Sequence, residues 1–411
     1  MPHQANEIQL CAESYTPAWP NNGRAAVVIA GAGARGAYEA GVLSVLLPAL
    51  FDSLKDVLLL GTSAGAVNAA LWAQYARPGR SLHDVGQEIC EFWRDLDVSR
   101  VYAPIALSLA KRAVGLSWMF GSVTSLLDTE PLAKHCQQTF QPRQLAANIA
   151  QGSIAGVGLV ATTCPDDGTG GRSHVFLQAA SSVVPPQADT GSALDYLPVR
   201  LQYQHILASA AIPLAFPPVA VPQADGSVGY YTDGGVRLNT PIAPALDLDA
   251  KRLVIVSSHA TKYAAPSSIS EKPDVIDLAA QSVHSILADG LIEDLRLLKR
   301  INNMVHQAGP NNLVDVSARP PRAFREVPVV AVAPEPGVLA QEARAFRTEK
   351  TLRGAEYALV RRLFAGLGSG VGNDELLSYL LFNRAFANRQ IQLGQRDAAA
   401  QLTLHGRAVR V

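Results

Sequence analysis

The residues best suited to covalent chemistry lie in the string Gly61-Thr62-Ser63-Ala64-Gly65, a G-x-S-x-G pattern directly after the apolar run 57–60. The run predicts a buried strand and residues 64–72 predict a helix, so Ser63 would occupy a tight strand-to-helix turn. Gly61 and Gly65 would let the chain bend and the helix pack close to the strand, leaving the Ser63 hydroxyl aimed outward as a nucleophile. The helix N-terminus behind it favours developing negative charge. Taken alone, the string also fits an ordinary turn of small residues.

A candidate base lies much later in the chain. Residues 229–232 predict a strand that ends in Asp233-Gly234-Gly235. The two glycines allow a sharp turn and a close approach of another backbone, and a carboxylate there can accept the serine proton from about 2.6–3.2 Å. Asp-Gly is also a common turn sequence, so this string indicates a catalytic base only in combination with the Ser63 string and the glycine-rich loop.

A glycine-rich loop precedes the serine. The β-branched run 25–30 leads into residues 31–36, GAGARG, which open a helix. The G-x-G-x-x-G pattern formally fits a dinucleotide site, but such a site needs an acidic residue at the end of the next strand, where this chain has Gly61-Thr62-Ser63. We therefore interpret Gly31 to Gly36 as an anion cradle for chemistry at Ser63. The backbone N–H groups of Ala32 and Gly33, with Arg35 close by, would form an oxyanion hole, in which one donor is worth roughly 2.7–4 kcal/mol.

The three strings, in this order, resemble the patatin-like phospholipases, relatives of the catalytic domain of cytosolic group IV phospholipase A2. The family pattern is a G-G-G-x-[KR]-G loop, a G-x-S-x-G elbow and a D-G-[GA] turn. The likeness includes residues 208–218 and 239–241, continues loosely through 294–302 and 380–394, and so covers about 23 to 397. Ala32 departs from the family glycine: its methyl group would crowd the acyl oxygen, while its N–H remains.

The resemblance implies a role for each matching residue. Ser63 would be the nucleophile and Asp233 the base that activates first the serine and then water. Ala32 and Gly33, with Arg35, would stabilise the oxyanion, and neither a cofactor nor a metal is implied. The substrate would be a lipid acyl ester.

Two alternatives stay open at this point. One is a triad-type carboxylesterase or acyltransferase that uses His259, which follows the predicted strand 253–256. The other is a non-catalytic nucleotide-binding module built on the glycine loop.

The alternation of predicted strands and helices favours an α/β fold, a three-layer α/β/α sandwich with a mostly parallel central sheet, as the resemblance also implies. We expect an N-terminal arm (1–22), one catalytic domain (23–397) and a C-terminal tail (398–411). Within the domain, residues 100–130 would form a lid and 265–400 a helical part, with a long helix over 276–305 and terminal helices over 339–364 and 374–393.

Composition narrows the range of partners. The chain of 411 residues is 48% hydrophobic and has 35 basic and 35 acidic residues, so its charge gives no indication of nucleic-acid binding. Four cysteines without metal-site spacing are typical of free thiols in a reducing compartment, and neither a signal peptide nor a transmembrane run is evident, so we expect a cytoplasmic protein. In the lid segment, Lys111-Arg112 and Trp118 suggest transient contact with a membrane surface as a hypothesis, whereas an ordinary amphipathic helix that covers the core is the favoured resting state. Asp166 and Asp167 fit a solvated turn better than a calcium site.

Overall fold

The computed structural model describes residues 23–103, 125, 127–165, 170–187, 191–213, 215–263, 275–309, 312–315, 322–348 and 371–404. The arm 1–22, residues 104–124 of the expected lid, Asp166 and Asp167, part of the predicted helix 339–364, and the end of the tail lie outside the described residues.

The strands of the described part are as follows: β1 (Ala25–Ile29), β2 (Val57–Thr62), β3 (Gly156–Thr163), β4 (Ser173–Ala179), β5 (Leu194–Pro198), β6 (Val219–Pro222), β7 (Val228–Asp233), β8 (Arg252–Val256), β9 (Val314–Asp315), β10 (Arg322–Ala323) and β11 (Val329–Val332).

The helices of the described part are as follows: α1 (Gly36–Leu50), α2 (Ala64–Tyr75), α3 (Leu82–Asp95), α4 (Val98–Val101), α5 (Glu130–Thr139), α6 (Pro142–Ala150), α7 (Tyr203–Ser209), α8 (Ile242–Asp247), α9 (Val275–Ala308), α10 (Val338–Thr348), α11 (Val371–Leu380) and α12 (Arg384–Leu404). None of them is long and apolar enough to cross a bilayer.

The centre of the molecule is a nine-stranded sheet in the order β11-β8-β1-β2-β3-β4-β5, with β7 and β6 joined to β3. The pairs from β11 to β3 are all parallel. β1, β2 and β8 are buried along their whole length, as expected for interior strands of a parallel sheet that is covered on both faces.

Alternate side chains of these strands enter two separate cores. Val27, Ile29 and Leu59 pack in a core with α1, α2, α3 and α12. Val28, Leu58 and Leu60 face the opposite core, which is closed by α8 and α9. The mostly parallel, three-layer α/β/α fold expected from the sequence is therefore confirmed.

The predicted helix over 374–393 is interrupted in the structure. α11 ends at Leu380 and α12 begins at Arg384. The Asn383 side chain caps the second helix, because its Oδ1 accepts hydrogen bonds from the N–H groups of Ala385 (2.9 Å) and Phe386 (3.3 Å). The break lets α11 lie against the glycine loop while α12 packs along α1.

The register of β7 explains how two distant strings meet. β2 ends where Thr62 pairs with Val160 of β3, and β7 takes up the pairing with β3 from the next residue, where Ala161 lies opposite Asp233. β4 occupies the other edge of β3 over these residues. β7 therefore pairs with β3 from the point where β2 stops, and it runs antiparallel to β3. Asp233, the last residue of β7, thus lies next to Ser63, the residue that follows β2.

Candidate active site

Ser63 occupies a strained turn between β2 and α2. Its backbone has φ 55° and ψ −124°, a conformation that non-glycine residues adopt only when the surrounding structure enforces it. The backbone is packed so tightly around this turn that the two flanking glycines have no room for a side chain. A Cβ at Gly61 would lie 2.2 Å from the Gly65 carbonyl oxygen, and one at Gly65 would lie 2.4 Å from the carbonyl oxygens of Ala30 and Ile29. The structure thus has the predicted strand-turn-helix with glycine required on both sides of the serine.

The end of α7 holds this turn in place. The Ser63 N–H donates to Ser209 Oγ (2.9 Å), and Ser209 Oγ donates to the carbonyl oxygen of Val160 (2.5 Å). The Asp233 N–H donates to the carbonyl oxygen of Ala211 (2.9 Å). One short segment therefore fixes the backbone of both candidate catalytic residues. Sequence reasoning included Ser209 only within a stretch that resembles the family, because a serine among alanines carries no local signal of such a contact.

Asp233 is 5% exposed and makes contacts that fit a base. Its Oδ1 accepts a hydrogen bond from the Gly235 N–H (2.7 Å), and the Ser63 side chain lies close enough to the carboxyl group to favour its ionised form. Burial raises the pKa of Asp233 to about 6, and the nearby Ser63 side chain and the hydrogen bond from the Gly235 N–H only partly oppose that shift. A carboxylate with this pKa is ionised at neutral pH and is a stronger base than an exposed aspartate.

The glycine loop lies directly beside the serine. The Gly31 N–H donates to both the carbonyl oxygen and the side-chain Oδ1 of Asn239, each at 3.1 Å. A Cβ at Gly31 would be 3.2 Å from the Ser63 Cβ, which shows how closely the two strings approach. Gly33 has φ 54° and begins a 3₁₀ turn, so it adopts a left-handed conformation that favours glycine. Sequence reasoning gave Asn239 no role, although it lies in the Asn-Thr-Pro stretch that resembles the family.

The Arg35 side chain of the glycine loop is held by α11. The residue is 2% exposed, and its guanidinium is directed at α11. Nε and Nη2 donate to Ser378 Oγ (2.8 and 2.5 Å), Nη1 donates to the Tyr379 hydroxyl (3.0 Å), and Nη2 pairs with Glu375 Oε1 (2.8 Å). The side chain thus links the glycine loop to α11, and its contribution to the oxyanion hole stays a prediction.

His259, the residue on which a triad would depend, also lies against α11, beside Arg35. Its Nε2 is 2.7 Å from the Tyr379 hydroxyl, and its ring stacks on Tyr379. Burial and the nearby Arg35 lower the pKa of His259 to about 3, so the imidazole is neutral. Among the described residues, the side chain that lowers the pKa of the Asp233 carboxyl is that of Ser63, and the ring contacts of His259 are with Tyr379 and His284.

The cysteines of the described part are not activated nucleophiles. Cys90, Cys136 and Cys164 are free thiols, and burial raises the pKa of Cys90 and Cys136 to about 11 and about 12. No group of three or more His, Cys, Asp or Glu side chains in the described ranges is arranged to hold a metal ion.

Comparison with known proteins identifies the region that contains all three strings. Residues 27–246, more than half of the chain, match the family model described as Patatin-like phospholipase. The match begins in β1 and ends in α8, and it leaves out α9 to α12. A search of curated proteins found no match.

Proposed function

Because the chain belongs to the patatin-like phospholipase family, which implies lipid acyl hydrolase activity, we propose that it cleaves acyl esters through a Ser63–Asp233 dyad. The substrates would be phospholipids, lysophospholipids or neutral lipids, and the product a free fatty acid. The observation that carries the proposal is the closeness of the buried Asp233 carboxyl to the side chain of a serine held at φ 55° beside the glycine loop.

The first half-reaction forms an acyl-enzyme. Asp233 accepts the proton of Ser63 as its Oγ attacks the ester carbonyl carbon, and the tetrahedral oxyanion accepts hydrogen bonds from the Ala32 and Gly33 N–H groups. When the intermediate collapses, the bond to the leaving alcohol breaks and the protonated Asp233 supplies the proton that the alcohol needs. Ser63 is left as an ester of the fatty acid.

The second half-reaction repeats these steps with water. Asp233, again ionised, accepts a proton from water as the water oxygen attacks the acyl carbon, and it returns the proton to Ser63 Oγ as the acyl bond breaks. The net reaction consumes one water and releases one fatty acid. No histidine is required, because the carboxylate itself contacts the serine.

Lipid substrates reside in bilayers, so we also propose transient contact with a membrane surface through the segment 100–130. Its composition supports this proposal: Lys111 and Arg112 suit anionic headgroups, and Trp118 suits the interfacial region. If vesicles of anionic phospholipid leave the fluorescence of Trp118 unchanged while the enzyme hydrolyses those same vesicles, this segment is not the contact.

A fluorophosphonate probe tests the proposed nucleophile. We expect covalent labelling that maps to the peptide containing Ser63, and a labelling rate on the order of 10³-fold lower in Asp233→Asn, because the variant lacks the base. The matched control is Asp225→Asn, since Asp225 lies in the exposed turn that leads into β7 and hydrogen-bonds only to Ser227 among the contacts described. We expect normal labelling of that control.

The same experiment separates the alternatives. A triad enzyme would lose labelling on His259→Gln by a factor on the order of 10⁴, whereas the dyad keeps it within about tenfold. A nucleotide-binding module would show no labelling in the wild type and would gain thermal stability with ATP or NAD. Either result would overturn the proposed function.

A further inference from the structure

Helix α11 lies outside the family-matched region, yet it contacts the glycine loop at two points. The backbone of Tyr379 lies against Gly33, so that a Cβ at Gly33 would be 2.7 Å from the Tyr379 carbonyl oxygen. Two residues later, the Arg35 guanidinium reaches Glu375, Ser378 and Tyr379. Both contacts fall within the 3₁₀ turn Gly33–Arg35, whose N-terminal end carries the proposed oxyanion donors.

The ion pair between Arg35 and Glu375 is buried. The side chains are 3% and 16% exposed, and Nη2 and Oε1 are 2.8 Å apart. Burial acts to raise the pKa of Glu375, but Arg35 and the nearby His284, whose Nδ1 lies 3.6 Å from Glu375 Oε1, outweigh it and hold that pKa well below its usual range. Glu375 is therefore an anion, and it is the charge that lets the Arg35 cation stay inside the protein. Removal of one partner of such a pair leaves the other charge buried without compensation.

Tyr379 completes the support of Arg35. The guanidinium carbon lies 3.9 Å from the centroid of the Tyr379 ring, a cation–π contact, and Arg35 Nη1 donates to the hydroxyl (3.0 Å). Because Arg35 can only donate, the hydroxyl proton is available to His259, whose Nε2 is 2.7 Å away. The Tyr379 ring therefore contacts the flat face of the Arg35 guanidinium, and the Tyr379 hydroxyl contacts its edge. Together the two contacts fix the orientation of the guanidinium.

We propose that Glu375 and Tyr379 are positioning residues for the reaction at Ser63, acting through Arg35 to fix the direction of the Ala32 and Gly33 N–H groups. This inference rests on the proposed function. Preorganised donors stabilise an oxyanion only if they already point at it, and a displacement of about 1 Å costs up to about 10²-fold in rate. The C-terminal helices are then part of the working enzyme, although the family match ends before them.

The test measures kcat per labelled active site in Glu375→Gln and Tyr379→Phe. The amount of fluorophosphonate bound at completion counts the folded sites, and hydrolysis of a short-chain p-nitrophenyl ester gives kcat and KM for those sites. We expect full labelling, kcat lowered about tenfold or more in Glu375→Gln, and KM changed less than about threefold, because a misaligned oxyanion hole weakens transition-state binding and leaves ground-state binding nearly intact. Tyr379→Phe keeps the ring and loses the hydroxyl, so we expect a smaller loss of about threefold or more.

The matched control is Glu88→Gln. Glu88 of α3 pairs with Arg80, which precedes that helix, and the two side chains are 40% and 28% exposed, so the substitution removes the same charge from an Arg–Glu pair that solvent reaches. We expect kcat and KM within about twofold of the wild type, since exposed pairs contribute little.

A double-mutant cycle tests whether Glu375 acts through Arg35. If it does, Glu375→Gln has little further effect on kcat in an Arg35→Met background, so the two losses are strongly non-additive.

Three outcomes would overturn the inference. Normal kcat per labelled site in both α11 variants would make α11 a scaffold only, and additive losses would mean that Glu375 acts by another route. Reduced labelling with normal kcat per site would show a purely structural role. If Glu375→Gln does not fold, Tyr379→Phe decides. Failure of the proposed function looks different, because the wild type itself would then show neither labelling at Ser63 nor hydrolysis.

Discussion

The buried Asp233 should make the protein less stable as its carboxyl group ionises, and Asp233→Asn should remove that cost. The folded chain raises the pKa of Asp233 from 3.8 to about 6, with burial as the main cause. The folded state therefore binds a proton more tightly than the unfolded state does. Stability falls as pH rises from about 4 to about 6, and the full cost is present above about pH 6.

The magnitude follows from the size of the shift. At about 1.36 kcal/mol per pKa unit, the displacement corresponds to about 3 kcal/mol of destabilisation at neutral pH. Because Asp233 is only 5% exposed, solvent screening reduces this free-energy cost little. Asparagine keeps an oxygen for the Gly235 N–H and cannot ionise, so it retains the contact and loses the pH-dependent cost. The difference in unfolding free energy between the variant and the wild type should grow by about 2 kcal/mol between pH 4.5 and pH 8.

Urea denaturation of both proteins at several pH values between 4.5 and 8 measures this difference. Other titrating groups cancel in the comparison, because they are the same in the two chains. Asp225→Asn is the control with the opposite sign: hydrogen bonds from Ser227 lower the pKa of Asp225, so its carboxylate stabilises the folded state above that pKa and the substitution should cost stability at high pH. A constant difference for Asp233→Asn across the range would refute the reasoning, and a difference that shrinks as pH rises would mean that a charge partner stabilises the carboxylate.

Three further predictions follow from the site. The wild-type kcat/KM should rise about tenfold per pH unit below about pH 6 and level off above it, because Asp233 acts as a base only when ionised; a profile that is flat from pH 4.5 to 8 would exclude it as the base. Ser209→Ala should lower unfolding free energy by about 1–3 kcal/mol and reduce kcat, since the Ser63 N–H and the Val160 carbonyl lose a buried partner; denaturation and ester hydrolysis measure the two effects, and wild-type values for both would contradict the assigned contact. Gly65→Ala should prevent stable folding, because its Cβ would lie 2.4 Å from backbone oxygens, whereas Gly290→Ala in the open middle of α9 should raise the unfolding free energy by about 0.5–1 kcal/mol. Thermal melts in which Gly65→Ala is the more stable of the two variants would contradict the local geometry.

Features that depend on neighbouring residues were predictable from the sequence. The apolar run 57–60 and the β-branched run 25–30 indicated the interior strands, and their glycine-rich ends indicated the turns that follow. Parallel strands place such turns at one edge of the sheet, so the proximity of the Ser63 turn to the loop 31–36 followed from the fold class. The prediction that Ser63 and Asp233 act together came from the resemblance to the patatin-like phospholipases.

Contacts between distant parts of the chain were not predictable in this way. The approach of Asp233 depends on β7 taking over the ladder on β3 at Ala161, a register that no local pattern encodes. Arg35 and Glu375 are 340 residues apart, and either would read from the sequence alone as an ordinary surface charge. The prediction that Arg35 helps to stabilise the oxyanion came from its position in the loop and from the family resemblance, whereas no signal in the sequence pointed to the contacts of its side chain with the helix behind that loop.

Hydrolysis of a labelled phospholipid by the wild type, Ser63→Ala, Asp233→Asn and His259→Gln tests the dyad most directly. The account predicts that the wild type releases fatty acid, that the Ser63 and Asp233 variants lose activity by a factor on the order of 10³ or more, and that His259→Gln stays within about tenfold of the wild type. Loss of activity in His259→Gln as complete as in Ser63→Ala, or substantial activity in Asp233→Asn, would contradict it.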